Sequence, residues 1–161
     1  MGHVLFGFSG RINRARWWVT VLVSQLAMSL VMGLIAQVDP SLSSSLGVIA
    51  VAVLWIIVLW VWFAAAAKRL HDLNRTGAWV VLLVGGPFLL IGVWILFAYA
   101  SRTGIMGGLT PDEAKRIGVP ALAIVVLMCF AISIWSLIWL GCLPGTVGPN
   151  RYGADPLGGK R

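Results

Sequence analysis

The fold class this sequence predicts is an all-α polytopic membrane protein, with four transmembrane helices and both termini on the cytoplasmic side. Three observations predict it. Of 161 residues, 60% are hydrophobic and only 11% are charged, against roughly a quarter charged in ordinary soluble domains. Cutting the chain at its charges leaves four uncharged stretches, 17–38, 40–67, 76–101 and 117–150, each longer than the roughly 20 residues a helix needs to cross hydrocarbon. The cations, finally, are distributed unevenly among the connections.

The first element, MGHVLFGFSG, reads as a short amphipathic lead with Phe6 and Phe8 placed to rest in the membrane interface. The spans follow near 17–36, 47–67, 78–100 and 119–143. Arg11, Arg14 and Arg16 precede the first span like the basic region of a signal peptide. Its apolar run is long for a signal sequence and shows no clear A-x-A cleavage site, so a retained helix is expected. The second, GVIAVAVLWIIVLWVWFAAAA, contains no charge. Each central Leu, Ile, Val or Phe favours insertion by roughly 0.3 to 0.6 kcal/mol, and a central charge opposes it by roughly 2.5 to 3.5.

The third span contains Gly85, Gly86 and Pro87, which should free backbone groups and kink the helix. Ser24, Gln25, Ser29, Ser133 and Ser136 read as hydrogen-bonding glue between helices. Between the third and fourth spans, TPDEAKRIGVP reads as a short interfacial helix capped by Thr110, with Pro111 in its first position and Asp112 and Glu113 in its first turn. Gly118 and Pro120 are expected to break it before the last span.

Orientation follows from the cations. Arg11, Arg14 and Arg16 precede the first span, Lys68, Arg69 and Arg75 follow the second, and Arg151, Lys160 and Arg161 follow the fourth. The loop QVDPSLSSS has no Lys or Arg, while Arg102, Lys115 and Arg116 are placed outside. Nine of the 12 cations on one side put both termini and the 68–79 loop in the cytoplasm. Trp17, Trp18 and Trp79 then fall at cytoplasmic helix ends, where an aromatic belt is expected, and Tyr152 can anchor the tail in the same layer. The net charge of +7 does not imply nucleic acid, because the cations are spread over the loops instead of forming one basic domain.

Composition also narrows the chemistry. Cys129 and Cys142 are separated by about 20 Å along one predicted helix, too far for a disulfide within the chain. With His3 and His71 they form no recognisable ligand pattern, so no metal or cofactor is expected. No ionisable side chain lies deep in a span, which weighs against a proton-coupled pump. No internal repeat appears, and one helical membrane domain over 1–161 accounts for the chain.

Three polar segments remain: GRINRARWW (10–18), KRLHDLNRTGAW (68–79) and PGTVGPNRYGADP (144–156). If the second helix continues past the membrane, Lys68, His71, Asp72 and Arg75 share one face, with Leu70 and Leu73 opposite and Thr76-Gly77 ending the helix. Asp72 can then pair along the helix with Lys68 and Arg75, worth only roughly 0.3 to 0.5 kcal/mol per exposed pair. Four spans return the tail to the starting side, so all three segments should meet at the cytoplasmic surface.

These three segments together resemble the signature segments of the domain of unknown function 805 (DUF805) family, YhaH-like bacterial inner membrane proteins. The segments cover roughly a quarter of the chain, and R-L-H-D followed by G-T-x-G-x-N-R-Y-G is fairly specific in combination. Family members usually carry Ser-Gly-Trp where this chain has Thr76, Gly77 and Ala78, and many fit one span between Trp79 and Pro144 where this chain has two. The resemblance implies a multi-pass protein of the bacterial inner membrane and no established activity.

For function, the favoured expectation is a non-enzymatic protein. Its cluster of Arg11, Arg14, Arg69, His71, Asp72, Arg75, Asn150 and Arg151 fixes loop architecture and binds an anionic lipid headgroup or a membrane protein partner. Arg16 belongs with the headgroup-facing cations. A small oligomeric transporter or channel is the alternative, resting on Pro87 and the intramembrane serines. A surface enzyme using His71 as acid or base is the third reading. It lacks a second carboxylate, a serine motif or a metal set, and adjacent Asp72 points roughly 100° away on a helix.

Overall fold

The computed structural model describes residues 6–38, 45–103 and 110–158. Helix α1 runs Arg14–Val38 and α2 Ser45–Asp72. A π-turn, Val81–Gly85, leads into α3, Gly86–Thr103, and α4, Pro111–Ser136, continues as a second π-turn, Leu137–Cys142. All four helical segments are long and apolar enough to cross a membrane. Among the described residues extended pairing is limited to one isolated bridge, Asn150 with Gly153. The chain packs as two compact units, one of residues 1–79 with 140–161 and one of residues 80–139.

In the first unit α1 and α2 pack side by side, joined by the Trp62 indole N–H donating to Ser24 Oγ at 2.8 Å. Ser24 therefore serves as interhelical glue. The N-terminal lead runs back along α2. Phe8 stands edge-on to Trp60 at 5.2 Å, and the Trp60 indole N–H donates to Phe6 O at 3.1 Å.

In the second unit the disturbance expected at Gly85-Gly86-Pro87 takes the form of the π-turn that immediately precedes Pro87. Proline has no N–H for the carbonyl four residues back, here Leu83 O. The Ser136 hydroxyl lies 2.9 Å from that oxygen and 2.8 Å from Ile132 O, its one proton shared between them. A side chain of α4 thus replaces the backbone donor that Pro87 lacks. Replacing Ser136 with Ala is expected to cost about 1 kcal/mol in reversible unfolding in mixed micelles. Ser133→Ala should cost less, since Ser133 bonds only Cys129 O of its own helix.

The third loop departs from expectation. The capping is as read: the Thr110 hydroxyl accepts from Glu113 N, Glu113 Oε2 accepts from Thr110 N at 2.8 Å, and Pro111 opens the helix. Yet Gly118 and Pro120 do not end a short interfacial helix; Pro111–Ser136 is one continuous element with Pro120 inside it. The reason is the number of backbone groups at stake. Pro120 forfeits one hydrogen bond, whereas ending the helix there would leave up to four carbonyls and four N–H groups without partners. The Trp94 indole N–H donates to the neighbouring Gly118 O at 3.3 Å.

Candidate functional site

The site is built on the end of α2. A helix leaves its last carbonyls without partners, and the chain closes them in two ways. Leu73 and Asn74 follow Asp72, with Asn74 in the left-handed region at φ 56, where Asn is one of the few non-glycine residues at home. Arg75 N donates to Leu70 O at 2.8 Å and Asn74 N to His71 O at 3.0 Å, the two bonds of a Schellman stop. The helix therefore ends earlier than Thr76-Gly77, and Arg75 leaves the face it was expected to share with Lys68, His71 and Asp72.

The second closure comes from distant segments. Thr146 donates to Asp72 O through its N–H at 2.8 Å and its hydroxyl at 3.0 Å. Asn150 Nδ2 donates to His71 O at 2.9 Å, and Ile12 N to Lys68 O at 3.4 Å. Residues 10–18 and 144–156 are thus hydrogen-bonded to the turn they were expected to meet.

At the centre lies an ion triad. Asp72 is 1% exposed, Arg69 0% and Arg11 9%. Asp72 Oδ1 accepts from Arg11 Nε at 3.1 Å and Nη2 at 2.9 Å, and Oδ2 accepts from Arg69 Nη1. Arg11 extends into the C-terminal loop, donating through Nη2 to Thr146 O at 2.6 Å and through Nη1 to Gly148 O at 2.7 Å and Gly153 O at 3.2 Å. Every N–H of Arg11 is taken. Arg69 donates through Nε to Leu140 O at 2.7 Å and through Nη2 to Leu143 O, carbonyls at the end of the last helical segment. That carbonyl end carries partial negative charge, which helps balance two guanidiniums against one carboxylate.

The pairing read from the sequence is therefore corrected. Asp72 pairs with Arg11 and Arg69, not Lys68 or Arg75, and the pair is buried, not exposed. Arg69 lies three residues before Asp72 on the same helix, and Arg11 reaches it because residues 10–13 cross the helix end. Lys68 is buried as well.

Around the triad the remaining residues separate by exposure. With its N–H on Nδ1, His71 donates to Gly10 O at 3.2 Å, and the imidazole stacks flat on Tyr152 at 4.0 Å. The Arg151 guanidinium lies 4.7 Å from the Tyr152 ring centre, and its Nη2 donates to Asn74 O at 3.4 Å. Arg14, Arg75 and Arg151 are exposed. Of the eight candidate residues, Arg11, Arg69 and Asp72 form the buried centre, His71 and Asn150 tie its rim, and Arg14, Arg75 and Arg151 face outward. Among the described residues no His, Cys, Asp or Glu group has metal-ligand spacing.

A family model described as protein of unknown function (DUF805) matches residues 5–154. The chain belongs to the DUF805 family. It is 31% identical over 151 residues to uncharacterized protein YiiR of Escherichia coli K12, covering 94% of this chain and 86% of that protein. It is 28% identical over 152 residues to inner membrane protein YhaI of E. coli K12, covering 93% and 86%. It is also 32% identical over 101 residues to inner membrane protein YhaH of E. coli K12, covering 63% and 80%. No solved structure matches.

Some residues of this DUF805 clamp escaped the sequence reading. Gly145 and Thr146 open the G-T-x-G-x-N-R-Y-G motif but carry no charge and were not among the candidate residues, yet Thr146 bonds both Arg11 and the end of α2. A Cβ built on Gly145 would fall inside the Asp72 carboxylate. Tyr152, read as an interfacial anchor, stacks on His71, a contact the sequence did not indicate. Their signal was the G-T-x-G-x-N-R-Y-G spacing itself, which places each turn residue but does not say what it touches.

Proposed function

We propose that this DUF805 chain is a non-enzymatic protein of the bacterial inner membrane, one domain over 1–161 with both termini in the cytoplasm. Its polar assembly locks the cytoplasmic loops into a fixed cap, and the cap's outward arginines bind anionic lipid headgroups. The observation that carries this reading is the division of the arginines. Arg11 is consumed internally by Asp72 and the C-terminal loop, while Arg14, Arg75 and Arg151 are exposed on the same compact unit. The names of YhaI and YhaH, inner membrane proteins, support the location. The Asp72 carboxylate is occupied by two arginines and is not available to orient His71, which favours binding over acid–base catalysis.

A cation near an anionic surface contributes roughly 1 kcal/mol. Changing Arg14, Arg75 and Arg151 together to Gln should therefore lower the preference for phosphatidylglycerol over phosphatidylcholine at least about tenfold. The measurement is native mass spectrometry of protein released from mixed-lipid nanodiscs. Equal lipid preference in the wild type and the triple variant would reject headgroup binding.

A further inference from the structure

A cavity of about 240 Å³ opens beside the clamp, lined by Asn13, Arg14, Asp72, Pro144, Gly145 and Leu157. Its volume is below the roughly 300–1,000 Å³ of sites for whole drug-sized ligands, and suits one small polar group. Its walls divide by chemistry. Pro144 and Leu157 are apolar, Gly145 contributes backbone, and Asn13 and Arg14 bring donors.

Those donors are uncommitted. Asn13 Oδ1 accepts from Arg16 N at 2.8 Å, leaving its amide N–H groups over. The Arg14 side chain makes no hydrogen bond or ion pair among the described residues. Asp72 does not make the cavity acidic, because Arg11 and Arg69 both bind its carboxylate and offset its charge. With that acid offset, Arg14 is the one uncompensated charge among the lining residues, which makes the cavity complementary to an anion.

Position identifies the source of the anion. Arg14 is the first residue of α1, and Pro144 follows closely on the π-turn Leu137–Cys142. The Trp18 indole N–H donates to Gly141 O at 3.1 Å, which brings the start of one apolar helix level with the end of another. Where two such helices cross a bilayer, a cleft between their ends falls at the depth of lipid phosphates, and its apolar wall can take the first carbons below the headgroup.

We propose that this cleft is a discrete site for the phosphate group of one anionic phospholipid, held by Arg14 and Asn13. The inference rests on the headgroup reading above and sharpens it from a charged surface to a single site. Full-length protein in nanodiscs of equal parts dioleoyl phosphatidylglycerol and dioleoyl phosphatidylcholine should retain one phosphatidylglycerol per chain in native mass spectra. Arg14→Gln should reduce that retained species about tenfold, the weight of one charge-assisted contact. Leu157→Trp, which fills the cleft without changing charge, should do the same, and Arg116→Gln, which removes an exposed cation of the third loop, should leave it unchanged. Preserved protease resistance of residues 144–158 would show that each variant keeps its cap.

Equal loss in Arg14→Gln and Arg116→Gln, or full retention in Leu157→Trp, would overturn the site while leaving diffuse headgroup binding in place. Retention unchanged in every variant, including the triple arginine change, would remove both.

Discussion

Replacing Asp72 with Ala is expected to cost roughly 3–5 kcal/mol of stability, the range seen when one partner of a buried ion pair is removed. The loss exceeds the value of the bonds themselves because Arg11 and Arg69 would stay buried without their counter-ion. Asp72→Asn keeps the volume and separates charge from packing, so most of the loss should already appear in it. Arg11→Lys should cost less than Asp72→Ala. It keeps the charge but replaces a planar fork that reaches Asp72, Thr146, Gly148 and Gly153 with a single ammonium. Reversible unfolding in mixed micelles measures all three, and trypsin cleavage at Arg151 reports whether the cap opens first. A loss under about 1 kcal/mol in Asp72→Ala, the value of an exposed pair, would mean that water reaches the carboxylate.

Gly145→Ala is the second large effect. Its added Cβ would overlap the Asp72 carboxylate, so either the loop carrying Thr146 or the acid must move. Overpacking alone costs roughly 1–3 kcal/mol, and displacing Asp72 from its arginines adds to that, which should bring the variant near Asp72→Ala. Gly148 is the internal comparison. A Cβ there meets nothing within 4 Å, but its φ of +76 is left-handed, so Gly148→Ala should cost only about 1–2 kcal/mol. The same unfolding assay ranks them, and equal small losses at both positions would contradict the close approach of Gly145 to Asp72.

What could be read in advance differs by the range of the interaction. Thr110, Pro111 and Glu113 announced their helix start because capping acts within one turn. The four apolar helices were legible for a related reason, since insertion sums side chains within one segment. Pro120 misled because a breaker was weighed by residue type alone, whereas opening the helix leaves more unpaired backbone groups than the one bond Pro120 lacks. Arg75 misled because the stop at Asn74 required a left-handed residue that charge periodicity does not reveal.

The clamp shows the same division. That three polar segments share one end followed from counting spans, but the partner of Asp72 did not. Lys68, Arg69 and Arg75 were all near in sequence, and the second cation that holds it, Arg11, is 61 residues away. By itself, the amino-acid order determined the helical class, the number of apolar helices and the positions of the polar segments, because hydropathy and capping are local properties. The tertiary structure alone decided which charges are buried and which arginines remain outward. That choice depends on the Gly145 to Gly153 loop closing over the end of α2 and excluding water from Asp72, and burial changes the strength of every charge it encloses.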